Sequence, residues 1–98
     1  SSDLIGEGLS FQNITRNYTQ EGEKEMLNIK GFIFNETDEA IDIPSISVNV
    51  MDSNAISLKQ STHQIDKQTI SPKEKISFSL FVDVPPAKAK YILLSFTK

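Results

Sequence analysis

The sequence predicts an all-β domain, closed as an immunoglobulin-like antiparallel β-sandwich of about seven strands. Three observations carry that expectation. Apolar residues alternate with polar ones at period two along most of the chain, and no stretch sustains the i, i+3, i+4, i+7 apolar pattern of a helix over three turns. Turn-forming clusters recur at spacings of roughly 8 to 12 residues, as they do between the short strands of sandwiches and barrels.

Residues 1–8 read as an N-terminal linker and residues 9–98 as the sandwich domain. Leu9, Phe11 and Ile14 open a first strand, which is expected to decay into the polar run "NYTQEGEKE", a turn or short mobile loop around Gly22. Leu27, Ile29, Gly31 and Ile33 share one face of a second strand, with Met26, Asn28, Lys30, Phe32 and Phe34 on the other. Since both faces carry apolar groups, the strand is expected to be central or bulged at Gly31, or else to leave Phe32 and Phe34 as a surface for a partner. Ile41 and Ile43 alternate into Pro44, after which Ile46, Val48 and Val50 mark a one-sided strand. Asp52-Ser53-Asn54 has the composition of a tight turn, because short polar side chains bond their own backbone, and Ile56 and Leu58 answer as the return strand. Residues 60–69, "QSTHQIDKQT", hold a single large apolar residue, Ile65, and are expected to cross the surface or form an edge. "SPKEK" is a proline-led turn before Ile76, Phe78, Leu80 and Val82, the most regular alternation in the chain. Pro85-Pro86 ends that strand, since proline has no N–H for the ladder, and Ile92, Leu94 and Phe96 lie on one face of a terminal strand.

A chain of 98 residues is long enough for one core and too short for two. With 38% hydrophobic and 23% charged residues it has the composition of a soluble globular protein. The lack of cysteine excludes a disulfide, a thiolate metal site and a cysteine nucleophile, and with tryptophan also missing the sandwich has no counterpart of the antibody disulfide and buried tryptophan. No apolar run approaches the roughly 18 residues that span a bilayer. The chain opens Ser1-Ser2 without an initiator methionine, which reads as a piece of something longer, with any targeting or membrane segment outside it. Nine lysines against one arginine, Arg16, together with twelve isoleucines, resemble the usage of an AT-rich bacterial genome. Residues 1–49 carry nine acids and three bases and residues 50–98 four acids and seven bases, halves that interleaved strands would mix into one solvated surface. The net charge of −3 and the absence of a basic stripe with interleaved aromatics argue against a nucleic-acid partner.

Glu36, Asp38, Glu39 and Asp42 offer the oxygen ligands calcium prefers, and Asp52 and Asn54 would add more if their loops met. The run has neither the glycine nor the closing glutamate of an EF-hand, and reads first as a charged hairpin turn that guards a strand edge, with Asn35 turned back onto the backbone. His63, the one histidine, has polar neighbours and is expected on an exposed loop. With no second histidine, a nucleophile with its base has only lysines and carboxylates to draw on, and Asp66 with Asp83 is the one candidate carboxylate pair. Asn-x-Thr sequons at Asn13, Asn17 and Asn35 read as coincidence in a chain of bacterial composition. Tyr18 and Tyr91 are the side chains suited to stack on a sugar.

The string "LNIKGFIFNETDEAIDIPSISVNVMDSN" resembles a bacterial family of domains of unknown function found C-terminal to a zinc-ribbon and a transmembrane helix, and the related F-x-L-Y-D domains. Leu27, Ile29, Gly31, Ile33 and Asn35 match the family's first step, Pro44, Ile46, Val48, Val50 and Asp52 its second, and Ile70, Pro72, Glu74 and Phe78 its third, with Lys73 where glycine is common. The resemblance covers residues 25–98 and implies an immunoglobulin-like sandwich held outside the cytoplasmic membrane by an upstream helix, without catalytic residues. It makes Gly31, Asn35, Pro44 and Asp52 structural: a close backbone approach, two turns and an entry kink. The zinc-ribbon itself is not in this chain.

The expectation is therefore a non-catalytic module on the periplasmic side of the inner membrane, with no catalytic, cofactor or metal residues. It takes an unknown protein partner and no nucleic acid, and meets the membrane only through a segment beyond this chain. The alternative is an accessory sandwich that binds carbohydrate or calcium.

Overall fold

A computed structural model describes residues 4–84 and 88–98. Eight strands follow one another: β1 (Leu9–Glu21), β2 (Lys24–Asn35), β3 (Ile41–Asp42), β4 (Ser45–Met51), β5 (Ser57–His63), β6 (Thr69–Ile70), β7 (Lys75–Val82) and β8 (Tyr91–Thr97). The described residues contain no helix. One antiparallel sheet has the order β1-β2-β7, a second the order β5-β4-β8, and β3 pairs with β6 in a short ribbon. This is an immunoglobulin-like order, with β1, β2 and β7 in the places of strands A, B and E and β5, β4 and β8 in those of C′, C and F. No described strand lies beyond β8, where such domains carry strand G.

Pleat parity decides which residues meet between the sheets. The β2–β7 register sets Leu27 opposite Val82, Ile29 opposite Leu80 and Ile33 opposite Ile76, so these residues share the inward face. From the other sheet β4 sends Ile46, Val48 and Val50 inward, all with no exposed surface. Burying side chains of this size fully contributes roughly 1.5–3 kcal/mol each, and the buried apolar side chains include three on β2, three on β4 and three on β7. Aromatic packing joins the layers, with Phe11 of β1 stacked on Phe96 of β8 at 4.4 Å between ring centroids and edge-on to Phe78 of β7 at 6.0 Å. The backbone of Gly6, in a turn closed by the Leu9 N–H donating to the Gly6 carbonyl at 2.9 Å, lies directly against the Phe96 ring.

Of the expected turn or loop in "NYTQEGEKE", the turn is present at Gly22, but the residues on either side are the arms of a hairpin rather than a loop. β1 continues to Glu21, and Glu21 pairs with Lys24 across a two-residue turn in which Gly22 has a φ of 66°, the left-handed conformation that such hairpin turns demand. Polar composition misleads here because β1 is an edge strand whose outward residues face solvent.

A bulge does occur near Gly31, but on the neighbouring strand. The register of β1 shifts between Gln12 and Thr15, and Asn13 adopts a φ of 53°, which asparagine tolerates better than most residues. β2 keeps unbroken alternation against β7, so Phe32 and Phe34 lie on the outer face, half-buried, with the Lys75 ammonium 5.2 Å from the Phe32 ring centroid. Two further expectations shift: Ile14 falls in the bulge at 40% exposed, and Ile56 precedes β5 at 60% exposed. The return strand starts at Ser57 and continues through residues 60–63 as a polar edge. The expected stop at Pro85-Pro86 lies outside the described residues.

A side chain at Gly31 would press on the end of Ile14 and approach the Gln12 carbonyl oxygen at 3.2 Å and the Phe78 ring at 3.3 Å. Gly31→Ala is therefore expected to destabilise the fold by about 1–2 kcal/mol in urea denaturation, although alanine favours strands more than glycine does. Trimming Ile14 to alanine in the same chain is expected to recover part of that loss, and an unchanged midpoint for the single variant would show that the bulge yields freely.

Candidate functional site

The acidic run is organised by a residue just before it. Asn35, the last residue of β2, has no exposed surface. Its amide Nδ2 donates to the carbonyl oxygens of Glu39 at 2.7 Å, Ser71 at 3.1 Å and Ile70 at 3.2 Å. Its Oδ1 accepts from the Thr37 N–H at 2.9 Å and the Thr37 hydroxyl at 2.8 Å. The Thr37 hydroxyl also faces the Glu39 backbone, at 3.0 Å from its oxygen and 3.2 Å from its nitrogen. One buried amide therefore ties the acidic turn to the start of the β6–β7 turn, and all its contacts are with backbone or Thr37.

The carboxylates of the run point away from this knot. Glu36, Asp38, Glu39 and Asp42 are exposed, and Asp38 meets Lys73 only at 4.0 Å with its side chain 95% accessible. Asp42 accepts from the Thr69 hydroxyl at 3.1 Å, across the β3–β6 ribbon. Asp52 and Asn54 do not join them. The acidic run precedes β4 and Asp52 follows it, so the length of a seven-residue strand, roughly 20 Å, separates the two loops. The Oδ1 of Asp52 is committed locally, accepting from the N–H groups of Asn54 at 2.8 Å and Ile56 at 3.0 Å. Among the described residues no three His, Asp or Glu side chains converge as metal ligands.

Other candidates are dispersed as well. Asp83 forms an ion pair with Lys24 at 2.7 Å, past the end of β7, whereas Asp66 borders a cleft against Ile76–Ser79, so the two carboxylates do not form a pair. Glu74 closes the "SPKEK" turn: its Oε1 accepts from the Ser71 N–H at 2.7 Å and its Oε2 from Lys67 at 2.6 Å. The Lys67 hydrogen bond and the Ser71 N–H hold its carboxyl below the usual glutamate range. Lys73, in the same turn, has a φ of 61°, a left-handed conformation that favours glycine. Tyr18 packs inward against the core and Tyr91 is 48% exposed on a different sheet, so they form no shared sugar platform. Burial pushes the Tyr18 phenol up, against an opposing pull from Arg16.

His63 departs from expectation. It ends β5 opposite Ile46, half-buried, with its Nε2 at 2.7 Å from the Ser61 hydroxyl. Partial burial pushes its pKa down, because the rim of the core solvates an imidazolium poorly. Period-two counting from Val50 back to its partners would have placed His63 and Ser61 on the inward side, had residues 60–63 been read as a strand.

The fold is found elsewhere. The structure is similar to the crystal structure of a DUF1425 family member from Shewanella sp. pv-4, with a TM-score of 0.54 and 14% sequence identity, covering 92% of this chain and 75% of that chain. That neighbour is a bacterial domain of unknown function. At such identity the likeness carries the fold alone. No family model matches the sequence, and no curated protein matches it.

Asn35→Ala removes every donor that the Glu39, Ile70 and Ser71 carbonyls receive from this side chain, and is expected to cost about 2–4 kcal/mol by urea denaturation. Asn35→Asp is expected to cost more, since it turns a carboxylate oxygen toward those carbonyls. Wild-type stability in the aspartate variant would show that the turn is held by something else.

Because His63 titrates lower in the folded chain than its unfolded value of 6.5, the unfolded state binds protons first as pH falls. Stability is therefore expected to decline from about pH 7 toward the depressed folded value, with no contribution from this group above that window. His63→Gln should remove this segment of the pH–stability profile while leaving the more acidic, carboxylate-dependent part. Superimposable profiles would place the imidazole in water.

Proposed function

We propose that this chain is a non-catalytic β-sandwich module of a bacterial cell-envelope protein, held on the periplasmic side of the inner membrane by a segment outside the chain, where it binds a protein partner. One observation carries the non-catalytic reading. Four of the polar and charged side chains with defined partners are occupied in closing turns and strand ends, Asn35 the acidic turn, Asp52 the β4–β5 turn, Glu74 the β6–β7 turn and Asp83 the end of β7, and buried Asn28 ties β2 to β7 through Ser79 and Leu80. No nucleophile is set against a base by these contacts; apart from the Ser61 hydroxyl beside His63 Nε2 at 2.7 Å on β5, where no hydrogen bond to Nδ1 orients the ring among the described residues, the groups that remain are solvated lysines and carboxylates. The resemblance in the residue 25–98 region supports the envelope setting.

The test is made on the native protein in its own cell. An epitope-tagged chromosomal copy is expected to be digested by protease added to spheroplasts and, after amine-reactive crosslinking, to run as a discrete larger species. Protection from protease would overturn the location, and an unshifted band the partner. The accessory-domain reading makes a separate demand, a calcium-dependent rise in melting temperature abolished by Asp38→Asn. With Asp38 so exposed, millimolar calcium is expected to leave the midpoint unchanged.

A further inference from the structure

The outer face of the β1-β2-β7 sheet holds a depression of about 630 Å³. Its position follows from register. On β2, Lys30 and Phe32 point outward, and across the ladder β7 sets Ser79 opposite Lys30 and Ser77 opposite Phe32. On the other flank Thr15 of β1 lies opposite Lys30. Small side chains on both flanking strands leave the space beside Lys30 and Phe32 open, with Asn13 of the β1 bulge also lining it.

A buried amide stands behind this depression. Asn28 points outward from β2 yet is only 3% exposed. Its Nδ2 donates to the Ser79 hydroxyl oxygen at 2.8 Å and to the Leu80 carbonyl at 3.1 Å. The Leu80 carbonyl can only accept, which fixes the nitrogen end of the amide on this side and makes Ser79 Oγ the acceptor in its own bond. A hydroxyl whose oxygen is held in this way keeps its proton for another partner, and among the described residues the Ser79 hydroxyl donates to none. Ser79 is exposed and lines the depression, so that proton is offered to whatever fills it.

The charges agree with this donor. Lys30 lines the depression and the Lys75 ammonium stands 5.2 Å from the Phe32 ring centroid, and neither lysine has an ion-pair partner among the described residues. No acidic side chain lines the depression, and Asp83, past the end of β7, is paired with Lys24. Two cations and an oriented hydroxyl donor on a surface without a counter-charge call for an anion.

From these observations we infer that the depression is a binding site for a carboxylate-bearing sugar, a hexuronate unit of an acidic polysaccharide. The inference goes beyond the protein-binding reading and does not depend on it. Directly opposed residues have Cβ atoms roughly 5 Å apart, so one carboxylate can meet both the Lys30 ammonium and the Ser79 hydroxyl in charge-assisted hydrogen bonds. The apolar C–H face of the sugar ring would pack on Phe32, and its hydroxyls would meet Ser77, Thr15 and the Asn13 amide. These neutral groups choose the class of ligand. An acidic peptide side chain has one carboxylate on an apolar stem and would leave Ser77, Thr15 and Asn13 unmatched, whereas a sugar carries donors and acceptors around its whole rim.

The test titrates trigalacturonate into the isotopically labelled 98-residue chain at fixed ionic strength and reads amide chemical shifts. Saturable shifts centred on residues 13–15, 30–32 and 77–79 are expected. The methyl-esterified trisaccharide, which keeps the rings and loses the charges, should bind roughly tenfold more weakly, and Lys30→Gln should weaken the uronate by a similar factor. Ser79→Ala, at an exposed position, should also weaken the uronate while its spectrum elsewhere stays native, which separates lost binding from lost fold. Equal affinity for the ester, or undiminished affinity in Lys30→Gln, would overturn the anion site. Tighter binding of the peptide Glu-Phe-Glu than of trigalacturonate would replace the sugar by an acidic peptide. Lack of saturation at about 10 mM trigalacturonate, or shifts spread over the exposed lysines at large, would overturn the site altogether.

Discussion

The amide of Asn35 is the interaction on which the end of the sandwich depends. It is a neutral group with two donors and an acceptor, buried where β2 ends, and it meets carbonyl oxygens from two segments far apart in sequence. A charged side chain of the same size would meet carbonyls as an acceptor and be repelled, and an apolar one would leave those oxygens dry and unpaired. The acidic residues beside it are free to lie in water because the neutral amide carries the geometry. Their charge has a cost in self-repulsion, and exposure keeps that cost small.

The interior follows from two central strands. β2 and β4 are each flanked on both sides, so their inward residues lose all contact with solvent, whereas inward residues on β1 and β8 remain half-exposed. Edge position alone does not decide burial, since the inward Phe78, Leu80 and Val82 of the edge strand β7 are at most 6% exposed. Isoleucine at position 46 and isoleucine at position 92 face the same interior, yet only the former is dry. Edge position also explains how the long polar strand β1 persists: its pairing with β2 fixes the backbone while its outward side chains remain hydrated.

Much of this architecture was legible in the sequence. Period-two alternation located β2, β4, β7 and β8, and short polar residues located the turns at Asp52 and at Pro72. Other features depended on pairing between distant segments. The polar arm from Asn17 to Glu21 is a strand because Lys24 to Asn28 lies beside it, and nothing in its own composition announces that. Gly31 signalled a close approach, but which strand bulged was decided by β1 across the ladder. The dispersal of the carboxylates was likewise invisible locally, since Asp52 and the acidic run are near in sequence and at opposite ends of β4. His63 was misplaced because polar neighbours suggested a loop, when they mark an edge strand.

The burial of Asn35 also bears on where this chain can be made. Asn35-Glu36-Thr37 is an acceptor sequence for N-linked glycosylation, and in a eukaryotic secretory pathway the sugar is transferred to the nascent chain before a β-sandwich has assembled. A glycan on that nitrogen would take one of the two N–H donors that serve the carbonyls of Glu39, Ile70 and Ser71 and would have to occupy space that the folded chain fills. Asn17, in an exposed strand position, would accept the same modification without such a conflict. Of the two, Asn35 is the residue at which the modification would conflict with hydrogen bonds that hold the fold.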